Sequence, residues 1–418
     1  FKKANTTFSG KFEYAASGDA GAYSNMSIDP EAGASVYSFA NDMLNNLNRL
    51  GAVNKLGDAA VKWAKEKNTA ASVEAGKIGD GYYGYPISAD NGYYMYYRKD
   101  VFKDTEVWDS TTSSLNDGYT FRDLYDAIDE KAATDTSLTN AIATWAVGDA
   151  WYVSGAFFAV GGDYKVTYDE KGNQTDAKCW FAYNDGVNGD SQTACKIGLD
   201  ATYGMINTMT DAPATGTTGK GTKINKHFIF SDGDKSPLND NITKYCSKDS
   251  TKNAGKPLVA AICGTWKANE LKTAWGDDYA ATYLPSLETP DGKFQMKNFS
   301  GYKLMGINPL SKFCKSSAAN LAWAHKIAQY MTDKQSQLER YTATGSGPSN
   351  LEALQDSTIK ADVALTALNA QYDKACYYPE TTTKVGNGLG YRTQDSVPAN
   401  YWTPLQTYGT AIYNEISS

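Results

Sequence analysis

Short apolar runs with strand patterning alternate with helical runs along this chain, and that alternation limits its fold more than any other feature. "ASVYSF" at 34–39 reads as a buried strand, and "NDMLNNLNRLGAV" after it as a capped helix ending near Gly51. "YYGYPIS" and "YYMYYR" read as strands, and "TFRDLYDAIDEKAAT" as a helix with Thr120 at its N-cap. "VTYDEKGNQT" has the form of a hairpin that turns at Lys171, Gly172 and Asn173. "SSAANLAWAHKIAQYMTDKQSQLERYTATG" predicts a long helical region stopped by Gly345, and "STIKADVALTALNAQYDKA" predicts another helix. Alternating strands and helices bury their apolar sides as α/β layers with partly parallel sheets. At 418 residues the chain has room for about two or three domains.

The composition is unusual in its aromatic residues, 30 Tyr and 9 Trp against 14 Phe. Tyrosine offers a flat apolar face and a polar tip, which suits half-wet surfaces. The stretch "GYYGYPISADNGYYMYYRKDVF" at 81–102 concentrates this character around Asp90 and Asn91. It reads either as a half-buried strand or as the wall of a cleft for something flat, polar and uncharged. The net charge of −7, with no basic stripe, argues against nucleic-acid binding, which needs clustered Lys and Arg to neutralise phosphates. No uninterrupted apolar run reaches membrane-spanning length.

Metal and nucleophile chemistry finds little footing. The cysteines at 179, 195, 246, 263, 314 and 376 form no C-x-x-C pair, so zinc ribbons and thioredoxin-type sites lack support. A disulfide such as Cys179 with Cys195 is compatible with the spacing, which does not establish connectivity. Two distant histidines, His227 and His325, do not suggest a multi-His metal site or a cysteine-protease dyad. No cofactor and no metal are expected. "ATGTTGKGTK" imitates a phosphate loop but has Ala214 where the first Gly is required and Gly221 where Ser or Thr would hold magnesium. "DGDKSPLNDN" imitates a calcium loop but has Pro237 at the turn glycine.

Several segments in fixed order carry a wider likeness: "DPEAGASVYSFANDMLNNLNRLGAVNKL" (29–56), the tyrosine-rich 81–102, and "PLVAAICGTWKANELKTAWGDDYAATYLPSL" (257–287). With "KNFSGYKLMGINPLSKFCKSSAANLAWAHKIAQYMTDKQSQLERYTATGSGPSN" (297–350) and "VPANYWTPLQTYGTAIYNEI" they span most of the chain; 110–256 matches only loosely. The chain resembles the extracellular solute-binding proteins of carbohydrate ABC importers, in the maltose and maltodextrin-binding branch. The resemblance implies an α/β, two-lobed periplasmic-binding-protein-like fold of the class II type, with hinge crossovers and a ligand cleft between the lobes. It places one lobe at 1–89 and 304–344 and the other at 90–303 and 345–418. The crossings fall near Ala89-Asp90, Tyr302–Leu304 and Gly345–Ser349. The family's first strand has no counterpart in the reading, so the opening "FKKANTTFSGKF" is expected to follow a natural start further upstream. The resemblance further implies a monomer outside the cell, tethered to a bacterial membrane as a lipoprotein. It implies no enzymatic activity, a permease as partner, and maltotriose or a longer maltooligosaccharide as ligand.

A neutral oligosaccharide presents hydroxyls at its rim and C–H groups on its faces, so it needs short polar side chains and flat aromatic platforms. Charge-assisted hydrogen bonds of about 1.5–3 kcal/mol and stacking of about 1–3 kcal/mol per platform make a handful sufficient for micromolar affinity, ~8 kcal/mol. The residues placed at the site by these criteria and by the resemblance are Phe39, Asn41, Asp42, Asp90, Asn91, Trp151, Tyr152, Trp266, Lys267 and Trp402. Each has an ordinary alternative: an N-cap for Asn41 and Asp42, a polar turn for Asp90 and Asn91, core packing for the aromatics. Tyr391-Arg392 in "GLGYRTQD" has no counterpart in the resemblance and stays outside the site. Two other classes fit clefts with carboxylates and tryptophans: a glycoside hydrolase, whose paired carboxyl groups stand about 5 Å or about 6.5–9.5 Å apart, and a surface adhesin that does not close on its ligand.

Overall fold

The structure, a computed structural model, describes residues 1–16, 18–169, 173–180, 191–211, 223–230, 245–374, 389–398 and 401–418. Lys171 and Gly172, both loop imitations up to Thr222 and Asn241, the side chain of Cys195, and Cys376 lie outside the described residues.

The elements that position the site begin with β1 (Val36–Ala40), α1 (Leu44–Arg49), β2 (Tyr85–Asn91) and β3 (Tyr94–Arg98). There follow α2 (Phe121–Ala132), β4 (Ile142–Thr144), α3 (Ala150–Ala159) and the hairpin strands β5 (Asp163–Tyr168) and β6 (Gln174–Trp180). Next come β7 (Leu258–Cys263), β8 (Tyr279–Thr282) and the long β9 (Asn298–Ile307). The last are α4 (Ala318–Met331), α5 (Lys334–Thr344), α6 (Val363–Asp373), β10 (Tyr391–Thr393) and α7 (Trp402–Ser417).

Local signals act where the sequence puts them. Thr120 caps α2 in a reciprocal box, its hydroxyl accepting from Asp123 N while Asp123 Oδ2 accepts from Thr120 N. Gly345 ends α5 in the left-handed region at φ 76°, a conformation glycine adopts without a Cβ clash. The helical region before it is two helices, α4 and α5, interrupted at Thr332-Asp333, where Asp333 caps the second.

Two sheets organise two lobes. In the first, β9 pairs antiparallel with β1, Val36 opposite Ile307, and with β2, Tyr85 opposite Met305. The second runs β8–β3–β7–β4. Antiparallel pairing dominates, and among the described residues of these sheets only β7–β4 and β9–β10 are parallel. The apolar clusters are separate. Phe39, Leu44, Leu47 and Leu304 make one, Tyr85, Ile87, Met305 and Ala324 a second beside it, and the largest runs from Tyr93 to Phe299 with Leu368 and Leu405.

The links between lobes follow from these memberships. β9 carries Phe299 in the large core and Leu304 in the small one, so a single strand crosses from one to the other. The β2–β3 connection does the same between Ile87 and Tyr93. After Gly345 the chain passes the junction but stays bonded to the first lobe, with Ser349 O accepting from Thr69 N and Leu351 N donating to Lys67 O. It rejoins the large core at Ala364.

Most of the tyrosines in the 81–102 stretch are core rather than cleft wall, with Tyr82 and Tyr83 half-buried. Tyr85 on β2, Tyr93 just before β3, and Tyr94, Tyr96 and Tyr97 on β3, an inner strand of its sheet, are all buried. Their hydroxyls are satisfied internally: Tyr94 and Tyr96 bond each other at 2.6 Å, Tyr96 donates to Gly264 O, and Tyr85 meets His325 Nδ1 at 2.9 Å.

Candidate functional site

Strand β1 delivers its last residue to the junction between the lobes, and the chain then turns through Asn41–Met43 into α1. This turn aims Asn41 and Asp42 at the junction. Burial raises the Asp42 carboxyl to about 7, and the nearby Asp395 carboxylate adds to the effect, while its own backbone N–H and the Gln394 amide oppose it. Its Oδ1 is buried and has no hydrogen-bond partner. One helical turn on, Asn45 Nδ2 donates to Ser396 Oγ at 3.0 Å, and its buried Oδ1 is likewise unpartnered. Two buried acceptors without partners therefore lie three residues apart, one in the turn before α1 and one in its first turn.

The second lobe contributes flat surfaces. Trp151 stands in the first turn of α3, where Asp149 caps the helix by accepting from Trp151 N at 2.9 Å. Its ring lies 5.6 Å from that of Trp266, with 43° between the planes. Trp266 belongs to the turn Thr265–Lys267 after β7 and is 36% exposed. Its ring folds back over Gly264, where a Cβ would stand 2.1 Å from Trp266 Cζ3, so only glycine permits this pose. Phe299 lies parallel to Trp151 at 6.4 Å and carries Trp402, at 6.0 Å, against its edge.

Gln394, just after β10, joins the two sets. Its Oε1 accepts from Asn91 Nδ2 at 2.8 Å and from Trp151 Nε1 at 3.3 Å. Its backbone carbonyl accepts from Asn41 Nδ2, and its N–H donates to Ser300 O at 2.7 Å. Asp42, Asn91, Trp151 and Trp266 are thus gathered around one amide or in contact with its partners, and Trp402 borders them through Phe299.

Other expected site residues are placed elsewhere, each for a packing reason. Phe39 is fully enclosed in the first-lobe core between Tyr37 and the β9 backbone, and lines no cleft. Tyr152 is 8% exposed, one residue round the helix from Trp151, and its hydroxyl points to Cys263 Sγ inside the large core. Asn41 has its amide committed to Gln394 O and Tyr302 N. Asp90 is 2% exposed and its oxygens accept from Thr265 Oγ1, Gly347 N and Ser346 Oγ, which makes it a pin between crossings rather than a sugar acceptor. Lys267 is drawn to Glu270 at 3.0 Å, one helical turn away.

Three participants were not anticipated from the sequence: Gln394, Asn45 and Ser396. The "GYRTQDSV" segment that carries two of them follows no motif, and only its polar run beside an arginine marks it. Arg392 holds this segment down through Asp163 Oδ1 at 2.7 Å and Tyr164 O at 2.9 Å. Among the described residues no group of three or more His, Cys, Asp or Glu is arranged to hold a metal ion.

Residues 238–367 match the model of the family described as bacterial extracellular solute-binding protein. Among solved structures, the maltodextrin binding protein MalE1 from L. casei BL23, without ligand, is 19% identical over 100% of this chain and 93% of its own, with a TM-score of 0.63. MalX from Streptococcus pneumoniae in complex with maltopentaose is 17% identical over 99% of this chain and 90% of its own, at a TM-score of 0.62. The Thermus thermophilus maltotriose binding protein bound with maltotriose is 15% identical over 92% and 80%, at 0.59. A comparison with curated proteins finds no match. Likeness at such low identity speaks to fold, and the fold is that of the two-lobed solute-binding proteins, as the resemblance in the sequence implied.

Proposed function

We propose that this chain is the extracellular substrate-binding component of a carbohydrate ABC importer, taking a maltooligosaccharide between its lobes. The observation that carries the reading is the pair of orphaned acceptors, Asp42 Oδ1 and Asn45 Oδ1, on one lobe, linked through the segment Gln394–Ser396 to the Trp151–Trp266 surface of the other. Buried acceptors without donors cost free energy, and sugar hydroxyls are donors of the right size. The adjoining indole faces suit the apolar side of a pyranose. Proteins of this fold whose structures hold maltopentaose or maltotriose support the ligand class, and the solute-binding family match supports a place outside the cell.

The lobes in this reading are 1–89 with 304–344, and 90–303 with 345–418, the segment Ser349–Leu351 resting on the first. Closure about the three crossings completes contacts that exist only in the closed form, which is the form a permease would engage. A lipid anchor to the bacterial membrane and a monomeric state belong to the same proposal. Non-enzymatic action is supported by Asp90, since a hydrolase pairing it with Asp42 would need a carboxyl group not already held by Thr265, Ser346 and Gly347.

The test is a thermal-shift screen with glucose, maltose, maltotriose, xylo-oligosaccharides and raffinose. A ligand that binds only the folded chain raises its melting temperature, and maltotriose is expected to do so. No shift with any maltooligosaccharide overturns the proposal. Release of shorter sugars from maltoheptaose would replace it with a hydrolase.

A further inference from the structure

The Gln394 side chain is 5% exposed, yet its neighbours come from every part of the junction. Asn91 belongs to the end of β2, Trp151 to α3, Asn41 to the turn after β1, and Ser300 to the crossing strand β9. The orientation of the amide follows from its partners. Asn91 Nδ2 and the Trp151 indole nitrogen are both donors, so the atom between them is the oxygen and the NH2 group points the other way. Asp42 directly follows Asn41, whose amide donates to Gln394 O, and the Gln394 amide group lowers the Asp42 carboxyl against the effect of burial. The next residues confirm the contact between segments: Ser396 Oγ donates to Asp42 O at 3.0 Å and receives Asn45 Nδ2.

Resting on the function proposed above, we propose that Gln394 is a positioning residue that sets the Trp151 indole and the Asp42 carboxylate against the same sugar, so that the aromatic and acidic halves of the site act as one unit. Its oxygen fixes the rotation of the indole about its Nε1–H bond. Its NH2 group favours the charged form of the Asp42 carboxyl, whose buried Oδ1 has no partner and is left for a sugar hydroxyl. The segment cannot drift, because Arg392 ties it to Asp163 and to Tyr164 O, and its first residues pair with β9. The charged groups around the amide are Asp42, Asp395 and Arg392, the last bonded to Asp395 at 3.3 Å.

Glutamate at this position keeps the oxygen that Asn91 and Trp151 need and replaces the donor with a second oxygen facing Asp42. Calorimetric titration of the full chain with maltotriose is carried out on the native protein, Gln394→Ala, Gln394→Glu and Trp151→Phe, the last alone and combined with Gln394→Ala. Gln394→Ala is expected to weaken binding about tenfold, the loss typical of one buried hydrogen-bond partner. In the Trp151→Phe background the same change is expected to cost clearly less, since the indole donor it serves is gone. Gln394→Glu is expected to bind more weakly at pH 8 than at pH 5 relative to the native chain, because opposed carboxylates share a proton only under acid conditions. Should Gln394→Ala fail to fold, the near-isosteric Gln394→Glu decides. Native-like affinity of both Gln394 variants at each pH overturns the assignment, as does a loss that is equal with and without the Trp151 indole. If the native chain binds none of the maltooligosaccharides, the functional reading itself has failed, a result separate from either.

Discussion

The hydroxyl of Thr265 donates to Asp90 Oδ2 at 2.6 Å, tying the turn after β7 to the end of β2. Gly347 N donates to the same oxygen at 2.7 Å, so two crossings and the second lobe meet on one carboxylate. Replacing Asp90 with Ala strands both donors in a buried site. The expected cost is about 2–4 kcal/mol of stability, read from the urea midpoint, with Asp90→Asn milder because it keeps one acceptor. An unchanged midpoint would remove Asp90 from the hinge.

Trp266 is the counterpart on the exposed side. Because 36% of it is open to solvent, Trp266→Ala should leave the melting temperature close to native. Maltotriose affinity should drop by about 1–3 kcal/mol, taking aromatic stacking on bases as the analogue. Unaltered binding by calorimetry would discard it as a platform.

Asp42 predicts a pH dependence of known sign. Its folded carboxyl titrates at about 7, above the unfolded value, so between about pH 4 and 7 the folded chain holds the extra proton. Its contribution to stability is present below the unfolded pKa and is lost as pH rises through about 7. Asp42→Asn should therefore melt above the native chain at pH 8, with the gap closing at pH 5. A sugar hydroxyl donating to the carboxylate favours the charged form, so native affinity for maltotriose should rise by up to about tenfold from pH 6 to pH 8. A flat profile would show that the hydroxyl is held elsewhere.

Phe39 separates packing from binding. Fully buried against Tyr37 and β9, it should cost about 3–5 kcal/mol when cut to Ala. The fraction that remains folded in the cold should bind maltotriose as the native chain does. A selective loss of affinity would return Phe39 to the cleft.

Lobe closure is a shape change. If the lobes close about the proposed crossings, X-ray scattering should show a smaller radius of gyration with saturating maltotriose. Binding without contraction would speak for a static carbohydrate-binding adhesin.

Local chemistry was legible before the structure. The Thr120 cap, the Gly345 stop and strand β1 depend on neighbours within a few residues, and short-range rules read them correctly. Asp42, Trp151 and Trp266 are candidates by the resemblance and by their side-chain chemistry, and their meeting at one junction is a tertiary fact. Phe39 and the β3 tyrosines misled because an aromatic side chain has the same pattern in a strand whether its face meets solvent or another layer, and Tyr152 because its turn of helix α3 points it into the core while Trp151 beside it stays half-buried.

Periodicity along the chain, a turn glycine and a helix cap are properties of neighbouring residues, and this sequence determined them alone, together with its alternating α/β order. Only the tertiary structure decided that Asp90 would be sealed between crossings while Asp42 keeps an unpartnered oxygen, and that Gln394, some 350 positions from Asp42, would stand beside it. Burial and hydrogen-bond supply are set by whichever distant segments arrive around a side chain, and no local pattern records them.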